Sequence, residues 1–178
     1  MTAPRVTLRR ATPTDQAQIL EVITDSRREA MPWLPIVHTP EEDKWWVANK
    51  LVPESDVWVA DWGGEVVGVC AMTPGWIDQL YIATAVQGAG LGSDFIHLAK
   101  SLHPDGLQLY CFAENHHAAA FYRSRGFEVM ATGDGSGNEE GQPDLLFAWR
   151  PEQDAAGLFV PDEITTTSGG PLQSGVLG

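Results

Sequence analysis

Six residues carry most of the information in this chain: Gln87-Gly88-Ala89-Gly90-Leu91-Gly92. The segment before them, 76–82, is rich in aromatic and β-branched residues, which is typical of a strand. The segment after them, 91–102, has leucine and phenylalanine at helical spacing. A glycine-rich turn therefore joins a strand to a helix N-terminus, where free N–H groups and the helix dipole favour a phosphate or pyrophosphate. The same pattern also fits a plain tight turn.

A second segment, 115–127, has the features of a short helix with defined ends. Asn115 is a residue type that caps a helix N-terminus, and Gly126 suits the left-handed position that follows a helix. Arg123 and Arg125 stand in the predicted last turn, where cations interact favourably with the helix dipole. The segment therefore predicts a helix that starts after Asn115 and ends before Gly126.

In this order, the two segments resemble two motifs of the GNAT superfamily of N-acetyltransferases. The first motif is a loop of the form (Arg/Gln)-x-x-Gly-x-(Gly/Ala), which is matched by Gln87, Gly90 and Gly92. The second motif, Asn-x-x-Ala-x-x-Phe-Tyr-x-x-x-Gly-Phe, is matched by Asn115, Ala118, Phe121, Tyr122, Gly126 and Phe127. The strand before the loop also looks like that of the family. The resemblance covers about residues 5–150.

The periodicity of the chain predicts an α/β arrangement. Strands are predicted near 6–8, 56–61, 65–73, 76–82, 107–112, 127–131 and 145–149. Helices are predicted from Thr12 to about Ala30, from Thr39 onward, over 91–102 and over 115–126. This order predicts one mixed central sheet flanked by helices. The resemblance implies the GNAT acyl-CoA N-acyltransferase fold, as a single domain over residues 1–150. The connection 132–143 is expected to be exposed.

The C-terminal tail, residues 151–178, is rich in proline, glycine, serine and threonine, a composition typical of disorder. Its apolar group Leu158-Phe159-Val160 can anchor the tail either to its own domain or to a partner subunit. The second alternative predicts a homodimer.

The composition is that of one globular domain. The chain has 178 residues, of which 43% are hydrophobic and 20% charged. The formal net charge of −13 disfavours nucleic acid and anionic membranes as partners, because phosphates attract basic faces. It is compatible with a cationic amine as substrate, and also with a simple role in solubility. No apolar signal region or membrane-spanning run is visible, so a cytoplasmic location is expected.

Cysteines and histidines give no sign of metal chemistry. Cys70 and Cys111 both fall within predicted strands, which is typical of buried thiols rather than of a disulfide or a metal cluster. The histidines are scattered and do not form a ligand constellation. We therefore expect no metal site.

The resemblance implies that acetyl-CoA is the acetyl donor and places its binding residues. The loop backbone would cradle the pyrophosphate, main-chain groups of one strand would pair with the pantetheine, and Asn115 would contact the pantetheine arm. The implied cofactor-binding residues are Leu80, Tyr81, Ile82, Gln87, Gly88, Ala89, Gly90, Leu91, Gly92, Ser93, Asn115 and Phe121. Parting of the 76–82 strand from the 107–112 strand would make room. Because coenzyme A is an anion and the chain is acidic, the attraction is expected to be local, from backbone N–H groups. For Asn115, a role as helix cap alone fits equally well.

The resemblance also implies acetyl transfer to an amine by direct attack in a ternary complex. Tyr122 holds the position of the general acid that protonates the leaving thiolate, and the alternative is an aromatic ring packed under the sheet. Asp78 is the candidate base, because alternation puts it on the same side of its strand as Leu80 and Ile82. Alternatively, Asp78 is a solvated acid or an anchor for the substrate cation, and Glu114 is a second candidate base. A main-chain N–H in segment 80–82 is the candidate donor to the oxyanion.

The acceptor is not named by the sequence. Trp33, Trp45, Trp46 and Trp76 can form an aromatic wall that suits a cation or a flat ring, although tryptophan commonly packs in cores. Of these, Trp33 and Trp76 are the candidate substrate-binding residues. The leading hypothesis is a small-molecule primary amine. The alternatives are a protein acetyltransferase that acts on an N-terminus or a lysine, and a non-enzymatic acyl-CoA-binding sensor or scaffold.

Overall fold

The computed structural model describes residues 5–151, so the expected tail contact through 158–160 lies outside the described residues. Seven strands form one sheet: β1 Val6–Arg10, β2 Asp56–Trp62, β3 Glu65–Thr73, β4 Trp76–Ile82, β5 Leu107–Phe112, β6 Glu128–Gly133 and β7 Asp144–Trp149. Their order across the sheet is β1-β2-β3-β4-β5-β7-β6. The pair β4–β5 is parallel and the other pairs are antiparallel. The predicted fold class, a mixed sheet flanked by helices, is confirmed.

The helices follow the predicted order, and the helical segment before β2 is divided into α2, a π-helical turn and α3. They are α1 Gln16–Ala30, α2 Pro40–Trp46, α3 Val52–Glu54, α4 Leu91–Leu102 and α5 His116–Ser124. The helix predicted from Thr39 onward begins with a capping box: Glu42 donates its N–H to the Thr39 hydroxyl, and its side chain accepts from the Thr39 N–H. A π-helical turn, Val47–Leu51, joins α2 to α3 just before Pro53. Within the described residues, no helix has the length and apolar character needed to cross a bilayer.

Two apolar cores lie on the two faces of the sheet. One core packs the sheet against α4 and α5 and includes Leu80, Phe95 and Tyr122. The other packs the sheet against α1 and α2 and includes Ile23 and Tyr81. Strand β4 is therefore buried on both faces, as expected for a strand in the middle of a covered sheet.

Arg9 ties the first strand to the turn that begins α1. Its guanidinium donates to both carboxylate oxygens of Asp15, at 2.8 and 3.0 Å, and to Asp61 at 2.8 Å. The Thr12 N–H donates to the same Asp15 carboxylate at 2.7 Å. The Arg9 guanidinium, together with the Thr12 N–H, lowers the pKa of Asp15 to about 2.

We expect Asp15→Asn to destabilise the protein in a pH-dependent way. A carboxylate with a lowered folded pKa stabilises the fold above its unfolded pKa of 3.8, and this stabilisation is lost as the pH falls through about 2. At pH 7, the free energy of unfolding in urea should fall by about 2 kcal/mol.

The difference between wild type and Asp15→Asn should close as the pH falls from about 4 to about 2. Asp25→Asn is the matched control, because Asp25 forms an exposed pair with Arg28 at 3.8 Å and should cost under about 1 kcal/mol. A difference that stays constant down to pH 2 would contradict this assignment.

Candidate active site

The glycine loop takes a backbone conformation that explains its composition. Gly88 and Gly90 have φ of +81° and +87°, a region that other residues rarely adopt. A Cβ added at either glycine would meet open space, so the requirement is conformational and not one of room. Gly90 is the cap residue of α4, and the first N–H groups of that helix have no helical acceptor.

A cavity of about 190 Å³ lies at this helix N-terminus. It is lined by Ile82, Val86, Gln87, Gly88, Gly90, Leu91, Gly92, Ser93, Phe121 and Arg125. Of the residues predicted to hold the cofactor, Ala89 belongs to the loop but not to this lining. Free N–H groups, the positive end of a helix dipole and a cavity together suit a phosphate-bearing ligand.

Sequence reasoning assigned neither Val86 nor Arg125 to the cavity lining, and the charged one of the two is Arg125. It is the C-cap residue of α5, and its guanidinium donates to the Ser93 hydroxyl and lies 5.2 Å from the centre of the Phe121 ring. The sequence signal was a basic residue beside the helix-ending Gly126. Only the fold brings that residue to Ser93, which lies 32 positions earlier in the chain.

The parting of β4 and β5 opens a gap beside the cavity. The two strands share one register pair, Trp76 with Gln108. The Ala83 N–H donates to Val67 O, and because hydrogen-bonded pairs alternate along antiparallel strands, the main chain of Tyr81 faces β3. Tyr81, predicted as a cofactor-binding residue, therefore turns its main chain away from the gap, and its ring is buried in the α1-side core.

Main-chain groups of Leu80 and Ile82 face the gap by the same alternation. The Ile82 carbonyl already accepts from the Ser26 hydroxyl and from the Gln87 amide, both at 3.1 Å. The groups that can pair with an added strand are therefore the Ile82 N–H and both main-chain groups of Leu80. The side chain of Gln87 is bound to β4 through the hydrogen bond to the Ile82 carbonyl, so its backbone is the part that is available to a ligand in the cavity.

Asn115 forms a helix cap with one end of its side-chain amide and leaves the other end unpartnered. Its side-chain oxygen accepts from the Ala118 N–H at 3.2 Å, which caps α5. Its side-chain nitrogen is buried and has no hydrogen-bond partner. Because one end of the amide fixes the side chain, the other end is a pre-oriented donor for a ligand carbonyl.

Tyr122 is completely buried, and its hydroxyl has no hydrogen-bond partner. Its ring lies 5.6 to 5.7 Å from the rings of Phe121, Phe127 and Phe147. Burial raises the pKa of Tyr122 well above its usual value of 10, so the phenol is protonated at neutral pH. The ring thus packs under the sheet, as one alternative had it, while its hydroxyl is a buried donor without an acceptor.

Asp78 is the extra residue of a β-bulge in β4. Ala71 pairs with Gln79, whereas Met72 pairs with Ile77, so the register skips Asp78. Strict alternation is interrupted here, so alternation alone does not place Asp78 on the face of Leu80 and Ile82, and its role stays a prediction. Burial raises the pKa of Asp78 against the effect of hydrogen bonds from Thr73, and one carboxylate oxygen is buried without a partner.

The two candidate substrate-binding tryptophans, Trp33 and Trp76, do not lie on one surface. Trp76 stacks on Tyr110 at 5.6 Å, where β4 and β5 are still paired. Trp33 is 40% exposed and packs edge-on against Phe112 at 6.1 Å. Phe112 is four residues beyond Gln108, the partner of Trp76, which separates the two positions by about 13 Å along β5. The two tryptophans therefore lie toward opposite ends of the gap.

The connection between β6 and β7 is tied to the first helices, and its expected exposure is wrong at two residues, Gly135 and Glu140. Glu140 is buried and pairs with Arg27 of α1. Glu139 is exposed and lies 2.7 Å from the His38 ring, in the segment between α1 and α2. Glu114 is exposed beside His116, at 3.8 Å, and lies outside the buried part of the site.

A sequence model of the Acetyltransferase (GNAT) domain matches residues 53–129, which contain the glycine loop, Asp78, Asn115 and Tyr122. This match identifies residues 53–129 as a GNAT acetyltransferase domain. It is 33% identical over 98 residues to the peptidyl-lysine N-acetyltransferase YjaB of Salmonella typhimurium, an alignment that covers 54% of this chain and 66% of YjaB. It is 28% identical over 113 residues to the probable N-acetyltransferase Rv2775 of Mycobacterium tuberculosis, covering 59% of this chain and 56% of Rv2775. The chain thus spans less than two thirds of either relative.

Solved structures of the superfamily share the fold. The apo form of YjaB from Escherichia coli superposes with a TM-score of 0.67 at 23% identity, covering 82% of this chain and 97% of YjaB. The PaiA N-acetyltransferase of Thermoplasma acidophilum, solved in complex with coenzyme A, superposes with a TM-score of 0.65 at 16% identity, covering 83% of this chain and 99% of PaiA. At these identities, the likeness shows the GNAT fold alone.

We expect the link between the β6–β7 connection and the first helices to be visible in the titration of His38. The hydrogen bond with Glu139, aided by the charges of Glu42 and Asp43, raises the pKa of His38 above 6.5. Glu139→Gln should lower that pKa toward 6.5, as followed by NMR of the imidazole ring protons against pH, with His38→Gln identifying the resonance.

Glu41→Gln is the control for this titration, because it removes a nearby exposed carboxylate from α2 that is not among the groups acting on His38. Equal pKa values of His38 in Glu139→Gln and in the wild type would show that the connection does not rest on the first helices in solution.

Proposed function

We propose that this GNAT protein transfers an acetyl group from acetyl-CoA to a primary amine, by direct attack in a complex that holds both substrates. One observation carries the proposal: three buried polar atoms, on β4, on α5 and on the residue that caps α5, have no hydrogen-bond partner. They are the side-chain nitrogen of Asn115, the hydroxyl of Tyr122 and one carboxylate oxygen of Asp78. Native proteins pair most such atoms, so unpartnered atoms on three of the predicted site residues favour a site that a polar ligand completes.

The described residues fit an acyl-CoA ligand. N–H groups at the start of α4 suit the pyrophosphate, while the Ile82 N–H and the main chain of Leu80 suit the amides of the pantetheine arm. The bound coenzyme A of PaiA supports a ligand of this type, and acetyl as the acyl group is our proposal. Acetyl-CoA supplies a thioester carbonyl and a leaving thiolate.

The residues of β4 and α5 can move the protons that the transfer requires. Asp78 takes a proton from the substrate ammonium, directly or through water, and its raised pKa makes it a better acceptor than an ordinary carboxylate. A main-chain N–H of segment 80–82 donates to the oxygen of the attacked carbonyl. Tyr122 protonates the sulfur as the carbon–sulfur bond breaks, and the second ammonium proton restores its phenol.

The leading acceptor is a small molecule with a cationic amine. The net charge of −13 favours a cation, and ties such as Arg27 with Glu140 hold the β6–β7 connection against α1. A peptidyl lysine is the second candidate, because the relative YjaB is a peptidyl-lysine N-acetyltransferase. The cytoplasmic location and the homodimer stay predictions from the sequence.

We expect Tyr122→Phe to reduce turnover without reducing donor binding. Loss of a general acid typically lowers kcat by about 10²–10⁴-fold, whereas the Kd of acetyl-CoA should change by less than about threefold because the ring stays buried. Stopped-flow or steady-state release of coenzyme A measures kcat, and calorimetry measures Kd.

Tyr110→Phe is the matched control for Tyr122→Phe, since it removes a phenol from β5 at the paired end of the strands. It should leave kcat within about threefold of the wild type. An equal loss of kcat in both variants, or an unchanged kcat in Tyr122→Phe, removes Tyr122 from the proton transfer.

A panel of acceptors tests the substrate class. With acetyl-CoA present, release of coenzyme A is followed with amino acids, polyamines, aminoglycosides and lysine-containing peptides. We expect release with small amines. Release with peptides alone would favour the second candidate. Binding of acetyl-CoA without release would favour the non-enzymatic alternative, and absence of binding would overturn the proposal.

A further inference from the structure

We propose that Arg125 is the phosphate-recognising cation of this chain, held in place by Lys100, and that it makes donor binding depend on the phosphate charge of coenzyme A. The inference rests on the proposed use of an acyl-CoA donor. It deepens that function because backbone N–H groups alone were the expected source of attraction for the anion.

The first support is the charge of the cavity lining. Its ten residues include one charged side chain, Arg125. The chain has 24 acidic and 11 basic residues, so its overall field repels an anion. A local cation is therefore worth more to an anionic ligand here than it would be in a basic protein.

The second support is that Arg125 lacks a carboxylate partner within residues 5–151. Other arginines that are largely buried or that bridge two elements are paired: Arg9 with Asp15 and Asp61, and Arg27 with Glu140. The Nε atom of Arg125 is buried and makes no hydrogen bond. A guanidinium that is partly withdrawn from water without an anion is costly, and a bound phosphate would remove that cost.

The third support is the way the guanidinium is aimed. The Ser93 hydroxyl accepts from one terminal nitrogen of Arg125, and the Cζ atom of Arg125 lies 5.2 Å from the centre of the Phe121 ring. These contacts hold the side chain across the first turn of α4, where the free N–H groups lie. Fork-shaped donors of arginine match phosphate oxygens better than a lysine does.

Lys100 acts as a positioning residue for Arg125. Its ammonium donates to the Arg125 carbonyl at 2.6 Å and packs 4.7 Å from the Trp149 ring and 5.7 Å from the Phe127 ring. Lys100 lies seven residues after Ser93, on the same face of α4. The helix that supplies Ser93 therefore also fixes the end of α5 from which Arg125 projects.

The test compares Arg125→Met with Arg123→Met by calorimetric titration of coenzyme A. Arg123 is two residues away, exposed, and lies 5.6 Å from the Phe147 ring, so both variants lose one positive charge from the same helix end. We expect Kd to rise about tenfold or more in Arg125→Met and less than about twofold in Arg123→Met. The Arg125→Met penalty should shrink as the salt concentration is raised.

Two further ligands locate the phosphate that Arg125 contacts. If the penalty of Arg125→Met disappears with dephospho-CoA, the contact is with the 3′-phosphate. If it persists with dephospho-CoA and disappears with pantetheine, the contact is with the pyrophosphate. Both results support the inference.

The inference fails if Arg125→Met and Arg123→Met bind coenzyme A equally well. That result leaves the proposed function intact, because the wild type would still bind the donor. Absence of coenzyme A binding by the wild-type protein would instead overturn the proposed function. Arg125→Lys, which keeps the charge and the cover over Phe121, should fall between the wild type and Arg125→Met and checks that the loss is not one of folding.

Discussion

The parting of β4 from β5 is the constraint on which the rest of the site depends. A parallel pair of strands normally shares evenly spaced hydrogen bonds, yet these two share the single pair of Trp76 and Gln108. Beyond it, the main-chain groups of Leu80 and Ile82 that face β5 have no strand beside them. Such groups are costly when buried, so an edge inside a covered sheet indicates a place for a ligand that adds as a strand.

Buried side-chain atoms without hydrogen-bond partners also occur on β4, on α5 and on the cap residue of α5. Asn115 and Tyr122 are buried and yet keep a donor without an acceptor, while the buried carboxylates Asp15 and Glu140 are both paired. The paired carboxylates stabilise the fold, whereas the buried donors without acceptors lower its stability. Donors that are already oriented and shielded from water need no rearrangement when charge develops on a substrate.

Local patterns were sufficient to predict the elements that local chemistry determines. Strand β3 spans Glu65–Thr73 as predicted, because apolar residues lie between a glycine turn and a Pro-Gly break. The capping box at Thr39 forms because serine and threonine caps act over three residues. The cap at Asn115 and the glycines at positive φ are likewise requirements of their own short segments.

The features that sequence reasoning missed arise from pairing between distant segments. The bulge at Asp78 exists because β3 and β4 skip one residue of register, which neither strand shows alone. The π-helical turn before Pro53 and the buried pair of Glu140 with Arg27 also depend on packing around them. From the sequence, Arg125 is a basic residue in the last turn of a helix, where it could simply interact with the helix dipole. Its hydrogen bond to Ser93 places it beside the glycine loop and supports a role in binding an anion.

The net charge of the protein acts in opposite ways on the two proposed substrates, the cationic amine and the anionic donor. A net charge of −13 attracts a cationic amine over several ångströms and repels an anionic donor over the same range. In the proposed function, affinity for the acyl-CoA donor therefore comes from contacts at hydrogen-bond distance, for which the loop N–H groups, the Asn115 amide and the Arg125 guanidinium are the candidates. Because such contacts depend on geometry, Lys100 and Ser93, which hold that guanidinium in place, matter to donor binding although neither would carry the charge that the phosphate meets.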